Sequence, residues 1–261
     1  MTVRWVSSGR RYDNAWLPGR WIGGIALLVG PVVFLAGLVV RHIGVVVAAF
    51  PPAREAWLDE QTFAAPRELA AYAQHPGLVA TGYTLFAAGS VLMVPALLAF
   101  GRVVARGAPR LACWGALLLV LAQLRRLYFG GIEVSAFQLV DTFGLDRATD
   151  WVLDNYTGLS YGLWRIPVTL SVGSIVGGLL LAAGAYRAGV FGVVRCVLLF
   201  AWSYLWSGVL KEAALLDGVS LGAAGAVALL PVAVALLRGR WSDLDPVGTP
   251  VEEPGRPLRM W

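Results

Sequence analysis

Long apolar runs alternate with short polar connectors along the whole chain. Six runs, near residues 21–40, 78–100, 111–131, 163–186, 194–214 and 219–237, reach or approach the ~20 mostly apolar residues needed to cross a bilayer core. The pattern predicts an all-α polytopic membrane protein, a bundle of six transmembrane helices. Two connectors show helical periodicity instead of uniform polarity. In 53–73, Trp57, Leu58, Leu69 and Tyr72 are interrupted by Glu55, Asp59, Glu60 and Glu68, with Pro66 as a break. In 145–156, Leu145, Ala148, Trp151, Val152 and Tyr156 keep helical spacing. Both predict short amphipathic helices that lie in the headgroup layer or roof a cavity between the spans.

Proline and glycine punctuate this pattern. Pro18-Gly19 precedes the first span, Pro31 interrupts it, and Pro51-Pro52 stops it even if it runs on past Arg41 and His42. Gly173 and Gly177 form a G-x-x-x-G step that lets helices of one bundle approach closely. An echo of Thr84–Val91 in Thr169–Ile175 hints at a parallel duplication. The expected organisation is an N-terminal arm at 1–20, a six-span domain at 21–240 and a disordered tail at 241–261, rich in Pro, Gly and acids.

Composition strengthens the membrane reading. The chain is 58% hydrophobic with a mean hydropathy of +0.69, far above soluble domains. Basic residues are 20 Arg and a single Lys, Lys211, which with abundant Ala and Gly points to a GC-rich bacterial genome. The net charge of +5 follows topology rather than nucleic-acid binding. Arg4, Arg10, Arg11, Arg20, Arg102, Arg106, Arg110, Arg187, Arg195, Arg238 and Arg240 fall on one side of the alternation. Glu55, Asp59, Glu60, Glu68, Asp141, Asp146, Asp150, Asp154 and Asp217 fall on the other. Arg near span ends stays cytoplasmic, so both termini are expected inside a bacterial cell membrane. The first span reads as a retained anchor, because no small-residue cleavage site follows it.

Chemistry is expected where charge enters the apolar runs, since ionisable groups there are functional candidates by default. Arg125 and Arg126 stand about 20 Å along the third span, in its outer half. Glu133 is seven residues beyond Arg126, on the same face of an unbroken helix. Lys211 and Glu212 reach a similar depth in the fifth span beside Trp202, Tyr204 and Trp206. These residues predict an outer cavity with Glu133 and Glu212 as acid or base. Arg125, Arg126 and Lys211 would bind an anion, and Trp202 and Trp206 would supply aromatic faces.

Other groups carry weaker signals. Asp146, Asp150 and Asp154 share a helix face that reads as a solvated surface, although three carboxylates in a row could also hold Mg²⁺. His42 and His75 offer a conceivable haem or metal pair, and Cys113 and Cys196 read as small apolar residues. No nucleotide, hydrolase or metalloprotease signature occurs, so no cofactor or metal is assigned. Three functions fit. One is an enzyme acting on a membrane lipid or an apolar isoprenoid-like molecule, with acid chemistry of the kind small membrane terpene cyclases perform, by architectural analogy alone. The others are a transporter or permease subunit with a partner subunit, and a non-catalytic scaffold.

Overall fold

The computed structural model describes residues 18–61, 64–156, 165–205 and 215–239, and its described residues hold helices and no strand. Five helices are long and apolar enough to cross a membrane. They are α1 (Arg20–Val47), α4 (Pro76–Ala105), α5 (Pro109–Phe143), α7 (Arg165–Arg187) and α9 (Leu215–Leu237). A shorter apolar helix, α8 (Val193–Ser203), stands where the fifth run was expected, and 206–214 lies outside the described residues. The expected tail lies wholly outside them, and so does the expected arm apart from residues 18–20. The 53–73 connector divides into α2 (Pro52–Asp59) and α3 (Ala65–Gln74), while α6 (Leu145–Tyr156) has its expected bounds. Proline opens α2, α4 and α5 and enters the first turn of α3, where its missing N–H has no intrahelical partner to lose.

The apolar helices pack in a closed ring. α1 lies between α4 and α9, α4 meets α5, α5 meets α7, and α8 joins α7 to α9. Small residues make several of these crossings possible. A side chain at Gly37 of α1 would strike the α4 backbone at Phe86, and one at Gly89 of α4 would strike the α1 backbone at Phe34. Gly177 of α7 lies against α5 at Gly115 and Leu119, which places the G-x-x-x-G step inside the bundle. Outward-facing Ile25, Val32, Val91, Val172 and Val227 are exposed. An apolar exterior would be a liability in water but suits lipid.

The bundle has two chemically distinct ends. At one, Arg20 of α1 donates to the carbonyls of Leu236 and Leu237 at the end of α9, at 3.1 and 2.6 Å, and Arg102 donates to Pro18. Arg106, Arg110, Arg187, Arg195 and Arg238 gather at this end, with no described acid among them. At the other end α2, α3 and α6 form a roof carrying Glu55, Asp59, Glu60, Asp146, Asp150 and Asp154. α5 spans 35 residues, about 52 Å, and so outreaches a bilayer core into this roof. Gly144 ends α5 with φ of 83°, a left-handed conformation costly for any residue with a Cβ.

Core packing is layered between those ends. The half nearest the Arg-rich end is filled by Leu27, Met93, Leu97, Phe100, Leu119 and their apolar neighbours. A second core joins Leu69 of α3, Tyr83 of α4, Phe129 and Phe137 of α5, and Val152 of α6. A small cluster of Phe34, Leu38, Phe86 and Leu205 separates them.

Candidate functional site

Every buried charged side chain among the described residues lies in the acidic-end half: Arg41, Glu68, Arg125, Arg126 and Glu133. Two neighbouring positions on α5 send their guanidinium groups to different partners, as the ~100° step between adjacent helical residues requires. Arg125 turns toward α7, where Nη1 donates to Ser171 Oγ, and its Cζ lies 5.7 Å from the Phe129 ring. Arg126 points into the ring of helices. Its Nη2 donates to the Leu205 carbonyl at 3.0 Å. Three aromatic rings surround its Cζ: Phe34 at 5.0 Å, Trp202 at 5.9 Å and Phe86 at 6.0 Å.

That aromatic sleeve is assembled from three helices. Phe34 and Phe86 lie 4.7 Å apart where Gly37 and Gly89 let α1 and α4 touch. Trp202 of α8 meets Phe34 edge-on at 6.3 Å. The indole occupies space that a side chain at Gly225 of α9 would fill. A desolvated cation over an aromatic face contributes about 2 kcal/mol at best, so the sleeve offsets only part of the cost of burying Arg126. Glu133 is buried on the same face of α5, two turns nearer the roof.

One layer further toward the acidic end lies a buried triad. Arg41 Nη2 of α1 meets Glu68 Oε1 of α3 at 3.3 Å and Tyr83 Oη of α4 at 3.0 Å. Tyr83 donates to Glu68 Oε2 at 2.6 Å. The Arg41 guanidinium lies 4.1 Å from the Tyr83 ring and 5.2 Å from Phe86. Phe86 is thus flanked by Arg41 above and Arg126 below. The sequence pattern places Glu68 on the wet face of an amphipathic segment. The structure buries it instead, because the ion pair and the phenol satisfy both carboxylate oxygens.

The structure brings together Arg126 and Trp202, buries Arg125 and Glu133 on the same helix, and places Lys211, Glu212 and Trp206 outside the described residues. Phe34, Phe86, Ser171 and the Arg41–Glu68–Tyr83 triad join the site without a sequence signal of their own, apart from Arg41 interrupting an apolar run. Gln123 was also missed. It is fully buried one turn below Arg126, and neither its amide nitrogen nor its oxygen has a hydrogen-bond partner among the described residues. Such a group costs about 1–3 kcal/mol.

The remaining candidates are peripheral. Asp146, Asp150 and Asp154 are exposed on α6, with Asp146 3.7 Å from Arg54. Among the described residues no three His, Cys, Asp or Glu side chains converge as a metal site. His42 and His75 are half-buried.

No protein-family model matches this chain, and no curated protein or solved structure is significantly similar to it.

Proposed function

We propose that this multi-pass membrane protein is an enzyme that receives a lipid or isoprenoid substrate in the polar and aromatic interior of its acidic-end half. Glu133 and Glu212 act as acid or base. Arg125, with Arg126 and Lys211, balances negative charge, and Trp202 and Trp206 supply aromatic surface. With the Arg-rich end in the cytoplasm of a bacterial cell, the chamber opens toward the outer leaflet.

One observation carries this reading: among the described residues the buried charged side chains all lie in the acidic-end half. From Gln123 and Ser90 toward the Arg-rich end, the described interior holds no buried charged side chain, and its buried serines Ser174 and Ser203 donate to the backbone carbonyls of Ser203 and Phe200. A transport path needs polar groups or water along its full length, whereas a blind chamber suits a reaction on a molecule that enters and leaves on one side. A scaffold has no need to bury Arg125, Arg126 and Glu133 together, since buried charge is weak support for stability.

Purified protein in lipid nanodiscs, supplied with isoprenoid alcohols, isoprenoid phosphates and extracted lipid, should convert one class to a product detectable by mass spectrometry. Glu133→Gln keeps the volume and removes the titratable proton, so turnover should fall by about 10²-fold or more with little change in thermal midpoint. Full activity and full stability in both Glu133→Gln and Glu212→Gln would overturn the enzymatic assignment.

A further inference from the structure

Two exposed arginines at the Arg-rich end share one helix seam: Arg110 in the first turn of α5 and Arg187 in the last turn of α7. Arg20 and Arg102 at the same end donate to backbone carbonyls. The guanidinium groups of Arg110 and Arg187 make no hydrogen bond or ion pair among the described residues. The first turn of α5 holds no acid, and there the helix dipole repels a cation. The two helices touch where a side chain at Gly184 would meet Leu111 and one at Gly115 would meet Leu181, and the turns beside them touch at Gly107 and Ala188. These contacts set Arg110 and Arg187 about 3 Å apart along the bundle axis. Steps of ~100° from the contact residues put Arg110, Trp114 and Leu117 on one flank of α5, and Arg187, Ala183 and Val176 on the flank of α7 beside it. All six are exposed on the outside of the bundle.

We propose that this seam seats a phospholipid with a net negative headgroup, its phosphate held between Arg110 and Arg187 and one acyl chain lying along Ala183 and Val176. A guanidinium only donates, in a fork that matches phosphate oxygens. Two such forks at one height suit a single phosphate. A phosphatidylcholine carries its own cation beside the phosphate and gains less from the pair. A soluble phosphate would use the arginines but leave the apolar flank bare. Trp114, one turn along α5 from Arg110, is of the type that lies at the headgroup boundary. Ala183 presents only a methyl near that height, which leaves room for a chain beside the indole. Arg187 and Val176 are eleven residues apart on α7, about 16 Å, close to the depth of one leaflet's hydrocarbon. Attraction spread over the whole end would not single out this seam, and Arg238 supplies the comparison. It is exposed at the end of α9, which packs against α1 and α8.

Native mass spectrometry of the full chain in micelles with equimolar phosphatidylglycerol and phosphatidylcholine tests this. Wild type should retain phosphatidylglycerol about tenfold or more over phosphatidylcholine, as two arginines at the membrane surface would give. Arg110→Gln/Arg187→Gln should bring that ratio near one, while Arg238→Gln should leave it unchanged. Ala183→Phe keeps every charge but fills the flank, and should lower the ratio by about threefold or more. A wild type without preference, a double variant that keeps it, or an Arg238→Gln as damaging as the double variant would each overturn the assignment. An unchanged ratio in Ala183→Phe would do the same, since it leaves only diffuse attraction. Displacement of phosphatidylglycerol by millimolar glycerol 3-phosphate would show a site for soluble anions and overturn the lipid. Should the double variant fail to accumulate, phosphatidylglycerol with a diazirine on its headgroup decides on wild-type protein. Labelling of the first turns of α5 and the last turn of α7 supports the seam, and labelling confined to α1 and α9 overturns it.

Discussion

At the residue scale, the buried charges divide into two kinds of work. Arg41, Glu68 and Tyr83 satisfy one another across three helices, which makes this cluster a structural pin. Removing one member of a buried ion pair costs about 3–5 kcal/mol, whereas replacing both by apolar groups is far milder. Arg41→Met should therefore lower stability by about that amount, and Arg41→Met/Glu68→Met should recover part of it. Equilibrium denaturation of wild type, Arg41→Met, Glu68→Met and the double variant in mixed micelles checks this, and a double variant whose loss equals or exceeds the sum of the two singles would contradict the pairing. The sequence made Arg125, Arg126 and Glu133 legible because charge inside an apolar run is conspicuous. Glu68 and Gln123 were not legible, since each looks ordinary in its own segment and gains its meaning only from what packs over it.

At the element scale, α3 and the α1–α4 crossing hold the acidic-end half together. Tyr72 of α3 stacks on Phe137 at 4.6 Å and donates to Asp141 of α5 at 2.8 Å. The hydrogen bond to Asp141, then burial, then the Asp141 charge raise the Tyr72 phenol above its usual value of 10. A raised folded-state value means the contact stabilises fully below about pH 10 and fades as pH climbs through the folded value. Alkaline titration should loosen α3 in wild type, seen as faster amide exchange, and Tyr72→Phe should flatten that dependence. The effect is small because the contact is exposed.

Glycines in the same elements should respond in opposite directions. Gly37→Ala or Gly89→Ala forces the α1 and α4 backbones apart and should lower the thermal midpoint substantially. Gly131 of α5 has open space around its missing side chain, so Gly131→Ala should be neutral or gain up to about 1 kcal/mol of helix propensity. Thermal melts of the three variants check the contrast. Five of the six expected spans were readable from period and length, and Pro66 marked a break in 53–73, but where that break falls and the full reach of α5 were not. Glu133 continues a helix that hydropathy alone ends near residue 131, and only contact with α3 and α6 explains why it goes on.

At the scale of the whole molecule, the charge asymmetry of the two ends and the one-sided burial of charge among the described residues belong together. Reporter fusions at Arg106 and Arg238 should read cytoplasmic and one at Asp150 external, and an external signal from Arg106 would reverse the orientation. In proteoliposomes the protein should pass neither protons nor small ions, because the apolar half closes the bundle.

The seam between α1 and α9 has a consequence for biosynthesis. The ring closes when Arg20 meets the carbonyls ending α9, so α1, the first of the described helices to be made, waits for α9, the last of them, before its own flank is covered. Until then Gly24 and Leu38 of α1, which pack against Leu237 and Gly222 of α9, face lipid or an insertion chaperone. A ribosome that stalls before α9 leaves an open horseshoe with Trp202 uncovered, a surface by which membrane proteases could recognise an unfinished chain.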